Sequence, residues 1–170
     1  MGTNIEIKAR LRDPVGVRSR AEGLSDAPLE ILRQEDTYYR VDRGRLKLRD
    51  FGNGRGELIY YERGRSLEPR SSCYRIVPTD EPEALRQVLA QALGVRGVVR
   101  KVRHLYLAGR TRIHLDEVEG LGPFLELEVV LGSENSEEEG GRIARQLMDA
   151  LGVRSADLLD RSYIDFIEEA

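Results

Sequence analysis

The chain has 170 residues, of which 27 are basic and 30 acidic, so its formal net charge at pH 7 is −3. This near balance argues against a protein that coats nucleic acid, because such proteins are strongly basic. No apolar run approaches the roughly 20 residues of a membrane span, and the start, MGTNIEIKAR, has no apolar signal-peptide core. The sequence therefore predicts one soluble, cytoplasmic domain over residues 1–170, and it leaves the oligomeric state open, a homodimer included.

The first half of the chain predicts strands that carry charged residues on one side. Strand side chains alternate between two faces, so residues 4–11 place Glu6 and Lys8 together, opposite Ile5 and Ile7. Asp13-Pro14 begins a helix that reaches about residue 24. Further strands are predicted from alternation and from β-branched and aromatic residues. They cover residues 34–41, 45–49, 57–63 and 70–77, with a hairpin turn at Gly52-Asn53-Gly54.

The second half predicts two helices and three more strands. An apolar stripe at helical spacing covers residues 80–94, and a Ser136 cap begins the second helix, over 136–151. A long strand covers 98–108. The segment 112–130, RIHLDEVEGLGPFLELEVV, forms two strands joined by a Gly-rich turn, and the closing segment 156–168 includes a short helical turn.

The strand pair at 112–130 places opposite charges on one sheet face. Arg112, His114 and Asp116 share a face by alternation, and so do Glu126 and Glu128. Carboxylates this close repel one another unless a cation or basic side chains separate them. A divalent ion such as Mg²⁺ takes oxygen ligands of this kind. The plain alternative is a sheet face that points its carboxylates at water.

Two arrangements fit a total of about eight strands. An open sheet would point its charged face at water, whereas a closed barrel would enclose that face and cover its apolar outside with helices. A barrel would bring the cations at positions 8, 47, 49, 101, 103 and 112 together with Glu6, Asp116, Glu126 and Glu128. Such an interior suits a triphosphate, because Lys and Arg bind its oxygens and Mg²⁺ bridges carboxylates to phosphates.

Several segments resemble the CYTH superfamily: NIEIKAR at 4–10, LKLR at 46–49, LIYYERG at 58–64, VVRKVR at 98–103, RIHLDEVEGLGPFLELE at 112–128 and the closing Ser162-Tyr163. That superfamily includes class IV adenylate cyclases, thiamine triphosphatases and inorganic triphosphatases. The chain is most similar to the class IV adenylate cyclase-like branch. The resemblance implies an α+β fold, an eight-stranded antiparallel β-barrel known as a triphosphate tunnel, with helices packed outside. It also implies an enzyme that depends on Mg²⁺ or Mn²⁺.

The resemblance also implies roles for individual residues. Those expected to bind substrate are Lys8, Lys47, Arg49, Arg63, Arg70 and Arg112. Those expected to bind metal are Glu6, Asp116, Glu126 and Glu128, and the catalytic set is Glu126, Glu128, Lys101 and Arg103. Asn4 stands where the family motif E-x-E-x-K has its first Glu. This departure removes one carboxylate and leaves the number of metal ions open.

The implied reaction converts ATP to cyclic AMP and pyrophosphate, through attack of the ribose 3′-hydroxyl on the α-phosphorus. Attack by water is the alternative and would hydrolyse inorganic triphosphate, thiamine triphosphate or a nucleoside triphosphate; the absence of a base-reading motif favours it. A third hypothesis is a non-catalytic protein that binds polyphosphate or nucleotide. The carboxylate missing at Asn4 slightly favours it. The expected partner is a small-molecule triphosphate, with no nucleic acid and no membrane.

Overall fold

The structure, a computed structural model, describes residues 1–170, and eight antiparallel strands in it close into a barrel. The strands are β1 (Gly2–Arg10), β2 (Glu30–Tyr39), β3 (Arg45–Asp50), β4 (Gly56–Arg63), β5 (Arg70–Thr79), β6 (Val95–Ala108), β7 (Thr111–Val118) and β8 (Gly122–Leu131). Around the barrel their order is β1-β5-β4-β3-β2-β6-β7-β8. The predicted closed barrel of α+β class is confirmed, and the open-sheet alternative is excluded.

Four helices lie outside the barrel: α1 (Pro14–Leu24), α2 (Pro82–Leu93), α3 (Glu137–Leu151) and α4 (Tyr163–Glu168). Their ends have local causes. The side chain of Asp13 accepts a hydrogen bond from the Gly16 amide, and Ser136 caps α3 in the same way through the Glu139 amide. Gly152 ends α3 in the left-handed conformation, at a φ of 74°. None of these helices has the length and apolar character needed to cross a membrane.

The apolar face of the sheet points outwards, against α1 and α3. Ile7 on β1 and Leu125 on β8 are buried in one cluster with Val17 and Ala21 of α1 and Leu151 of α3. Burial of these side chains contributes about 1.5–3 kcal/mol each for the larger ones. Because strand residues alternate, the opposite face, which carries the charges, encloses the interior of the barrel.

Some boundaries differ from the prediction because tertiary pairing decides them. Strand β2 begins at Glu30, four residues before the predicted start, since residues 30–34 pair with residues 101–105 of β6. That ladder satisfies backbone groups which the local pattern does not assign to a strand. The closing segment contains α4, where the Ser162 side chain and the Asp165 carboxylate form a capping box.

Candidate active site

The barrel encloses a cavity of about 310 Å³ to which all eight strands contribute. This volume is at the lower end of the range for small-molecule sites, about 300–1,000 Å³. The charged residues that line it are Lys8, Lys47, Arg49, Arg63, Lys101, Arg103, Arg112, Glu6, Glu57, Glu126 and Glu128. Cations therefore outnumber carboxylates on the wall by three; the buried carboxylates of Asp36 and Asp116 offset two of these charges, and the remaining positive excess favours an anionic ligand. Ten of the twelve residues predicted for the site line this cavity, and Arg70 and Asp116 do not.

The two ends of the cavity differ in chemistry. At one end, the chain before and at the start of α4 covers the barrel with Ser162 and Tyr163. The Lys8 ammonium lies 3.7 Å from the centre of the Tyr163 ring, a cation–π contact. Towards the other end, the wall includes four apolar side chains, Leu32, Phe51, Ile76 and Leu105. Strand direction places all four at the same end of the barrel, because β2 begins at that end while β3, β5 and β6 finish there. We call these four residues the apolar mouth.

A buried carboxylate, Asp36 on β2, organises three of the cations. It accepts hydrogen bonds from Lys47 Nζ at 2.7 Å and from Arg49 Nε and Nη2 at 2.8 and 2.9 Å, and Lys101 Nζ lies 3.7 Å away. Burial alone would raise the pKa of Asp36, but the charges of Arg49, Lys47 and Lys101 hold that pKa well below its usual value. The carboxylate therefore stays ionised and fixes these side chains in one arrangement.

A second buried carboxylate, Asp116 on β7, lies behind the cavity wall. Arg103 Nε and Nη2 each donate to one of its oxygens at 2.7 Å, and the Tyr163 hydroxyl donates at 3.0 Å. Burial would raise the pKa of Asp116, yet Arg103 and Lys101 hold it well below normal. Metal binding by Asp116 stays a prediction, and the geometry favours a different role, the orientation of Arg103.

Arg70 is buried beside the cavity and does not line it. Its Nη1 donates to the backbone carbonyl oxygens of Ser66 and Leu159, while Nε and Nη2 have no hydrogen-bond partner. Substrate binding by Arg70 therefore stays a prediction. The guanidinium is held by the chain around Ser66 and Leu159.

The carboxylate wall is formed by β8 and its two neighbours. Glu126 and Glu128 on β8 each have one oxygen beside a cation. Lys8 Nζ lies 3.2 Å from Oε2 of Glu126, and Arg112 Nε donates to Oε2 of Glu128 at 3.0 Å. Glu6 on β1 stands opposite Glu128 in the β1–β8 ladder, and its Oε2 accepts from Arg63 Nη1 at 3.2 Å. Ligand atoms of Glu126, Glu128 and His114 lie within 4.8 Å of one another, so this wall fits a divalent cation.

Burial sets the protonation of these groups. It lowers the pKa of Lys8 to about 8, although Glu126 acts in the opposite direction. It lowers the pKa of His114 to about 4, so this imidazole is neutral at pH 7. Burial would raise the pKa of Glu126, but Lys8 and Arg103 hold it well below normal, and the carboxylate is ionised.

The sequence prediction missed Asp36 and assigned no role to Tyr38, Tyr61 or Tyr163. Tyr38 and Tyr61 line the cavity and contact Lys47, whose Nζ lies 5.6 and 5.9 Å from their ring centres. A signal for Asp36 existed, because alternation from Gln34 through Tyr38 puts it on the interior face. The prediction assigned this strand from its Thr and Tyr content and did not use that pattern.

A closed barrel with basic side chains on one wall and carboxylates on another is the architecture of the tunnel-type β-barrel proteins. The chain matches the family model described as "CYTH domain" over residues 2–163, and it therefore belongs to the CYTH family.

Individual relatives agree with this assignment. A protein of Methanocaldococcus jannaschii, MJ0240, named as a candidate adenylate cyclase, is 26% identical over 95% of this chain and 96% of its own length. The solved structure of PH1012 from Pyrococcus horikoshii has a TM-score of 0.84 at 27% identity, covering 95% of this chain and 98% of that one. HpAC1 from Hippeastrum, described as a candidate adenylyl cyclase with a dominant triphosphatase activity, has a TM-score of 0.69 at 18% identity, covering 99% and 96%. At that identity, this last likeness bears on the fold alone.

Proposed function

We propose that the protein is a divalent-metal-dependent enzyme that binds the triphosphate of ATP inside the barrel and forms cyclic AMP and pyrophosphate, as a class IV adenylate cyclase does. One observation carries the proposal. Lys47 and Arg49 on β3 face Glu126 and Glu128 on β8 across one cavity, because four strand positions separate β3 from β8 in either direction around the closed barrel. A polyanion with its counter-cation fits between two such walls.

The basic wall would hold the phosphate oxygens. Lys47, Arg49 and Lys101 converge on Asp36, and Arg103 is oriented by Asp116. These carboxylates leave the remaining donors of each side chain for a ligand, in positions that are already set before binding. Preorganised donors lose little freedom when the ligand arrives, so this arrangement favours tight binding of several linked phosphates.

The carboxylate wall would hold Mg²⁺ or Mn²⁺, through Glu126 and Glu128 with Glu6 beside them. A bound divalent ion supplies positive charge where negative charge grows on the attacked phosphorus and on the leaving oxygen. Lys8 holds the pKa of Glu126 well below normal, so that carboxylate is ionised, and Arg112 pairs with Glu128 at 3.0 Å on the same wall.

The apolar mouth favours a nucleotide over a bare triphosphate. Leu32, Phe51, Ile76 and Leu105 line the end of the cavity away from Tyr163, where a base and sugar attached to the triphosphate would contact them. In that position the 3′-hydroxyl attacks the α-phosphorus, pyrophosphate leaves, and the hydroxyl proton passes to a carboxylate or to water.

Hydrolysis of the triphosphate by water is the second candidate, and the chemistry of the apolar mouth supports it. Four hydrocarbon side chains can cover a base but cannot distinguish adenine from another ring, since they offer no hydrogen-bond donor or acceptor. A site that binds the triphosphate strongly and the organic group loosely would accept thiamine triphosphate or inorganic triphosphate, with water as the attacking group.

Incubation of the protein with Mg²⁺ or Mn²⁺ and each of ATP, thiamine triphosphate and inorganic triphosphate tests both candidates. Chromatography separates cyclic AMP and pyrophosphate, the products expected of the cyclase, from ADP and phosphate, the products expected of hydrolysis. Binding of all three compounds without turnover would refute the enzyme and favour the non-catalytic binder. The substitution Glu128→Gln should abolish turnover, whereas Glu117→Gln, an exposed residue on the neighbouring strand, should not.

A further inference from the structure

A histidine in the cavity wall carries an unused ligand atom. His114 on β7 is 3% exposed, and its buried Nδ1 has no hydrogen-bond partner. Buried nitrogens of this kind normally have a partner. The nearest carboxylate atom, Oε1 of Glu128, is 4.0 Å from Nδ1, which is too far for a hydrogen bond. The imidazole therefore lies in the cavity wall without a partner that would explain its position.

The separation of 4.0 Å fits two ligands of one cation. Ligands on opposite sides of a divalent ion lie about 4 Å apart when each bond is about 2.1 Å long. Ligand atoms of His114, Glu126 and Glu128 lie within 4.8 Å of one another. Lys8 and Arg112 engage Oε2 of Glu126 and Glu128, respectively, so Oε1 of each carboxylate is left for an ion.

We propose that His114 is a metal ligand that completes, with Glu126 and Glu128, a set of one nitrogen and two oxygens for a first-row transition ion. This inference rests on the proposed function, whose metal would occupy the same wall. Imidazole nitrogen suits transition ions, whereas Mg²⁺ and Ca²⁺ prefer sites made of oxygen alone. His114 thus biases the site towards ions such as Mn²⁺ and Co²⁺ and away from Mg²⁺.

Pulsed electron paramagnetic resonance of Mn²⁺ bound to the full chain, without substrate, tests this ligand directly. Nitrogen bonded to Mn²⁺ modulates the electron spin echo, and wild-type protein is expected to show that modulation. His114→Gln should remove it and weaken Mn²⁺ binding about tenfold or more, with a much smaller change for Mg²⁺. His104→Gln is the matched control, because His104 is the other histidine of the chain and does not line the cavity.

The outcomes separate this inference from the proposed function. Mn²⁺ bound without nitrogen modulation overturns the role of His114 and leaves a metal-dependent enzyme intact, whereas failure to bind both Mn²⁺ and Mg²⁺ overturns both. If the His114→Gln chain does not fold, wild-type protein labelled with ¹⁵N-histidine replaces it. The modulation must then change with the isotope, and an unchanged spectrum refutes histidine as the ligand.

Discussion

Substitution of Asp36 by Asn tests the network that arranges the basic wall. Asp36 is fully buried and accepts hydrogen bonds from Lys47 and Arg49, with Lys101 at 3.7 Å. Asn has the same shape but no charge, so three buried cations would lose their shared counter-charge. Breaking a buried ion pair by removing one partner costs about 3–5 kcal/mol. Since small domains are stable by about 5–15 kcal/mol, the Asp36→Asn chain should lose a large part of its free energy of unfolding.

Urea unfolding measures this loss. At a slope of about 2 kcal/mol per M, the midpoint should fall by about 2 M. Glu35→Gln is the matched control, because Glu35 is the next residue of β2, pairs with Arg86 and Arg100, and is partly exposed. Its surface pairs should contribute less than about 1 kcal/mol. An Asp36→Asn midpoint no lower than that of the control would refute the proposed network.

The effect of Asp36 has a predicted sign with pH. Its folded-state pKa is depressed, so the stabilisation it provides is complete above its unfolded pKa of about 3.9. It is lost as pH falls below that value and Asp36 becomes protonated. The stability difference between wild type and Asp36→Asn should therefore be constant near neutral pH and shrink below about pH 4. A difference that grows on acidification would contradict this account.

Three further predictions use neighbouring residues as controls. Glu126→Gln should abolish metal-dependent turnover while leaving the fold intact by circular dichroism, and normal turnover would remove Glu126 from the site. Lys101→Ala should weaken triphosphate binding about ten- to a hundredfold, and should weaken monophosphate binding far less. Arg100 lies on the outer face of the same strand, so Arg100→Ala is the control and should leave the affinity for both ligands unchanged. Equal losses for both ligands would argue against a triphosphate site. Tyr163→Phe removes a hydrogen-bond donor to Asp116 and should lower the free energy of unfolding by about 1–3 kcal/mol. Tyr60→Phe, at the surface, is the control and should change it little. Equal melting temperatures for the two variants would show that the hydrogen bond to Asp116 is unimportant.

The sequence predicted the strands and most of the charged wall because alternation along one strand is a local property. Glu126 and Glu128, like Lys47 and Arg49, are two residues apart, so their shared face follows from strand geometry alone. Alternation could not decide between an open sheet and a barrel, and the resemblance to the CYTH superfamily supplied that choice.

What escaped prediction depends on contacts between distant segments. Asp36 meets Lys47 and Lys101 only because β2 pairs with β3 on one side and β6 on the other. Asp116 has the alternation of a wall residue, but Arg103 and Tyr163 engage it behind the wall, and Tyr163 comes 47 residues later in the chain. Arg70 lies on a predicted strand, yet its guanidinium donates to carbonyl groups of the chain around Ser66. None of these pairings has a signal within one strand.

A crystal structure of the protein with Mn²⁺ and an ATP analogue that cannot react at the α-phosphorus tests the central claim most directly. The account predicts phosphate density inside the barrel, against Lys47, Arg49 and Lys101, with an anomalous Mn²⁺ peak beside Glu126 and Glu128. The base should lie at the apolar mouth. Phosphates bound on the outer surface of the barrel, or an anomalous peak remote from β8, would contradict it.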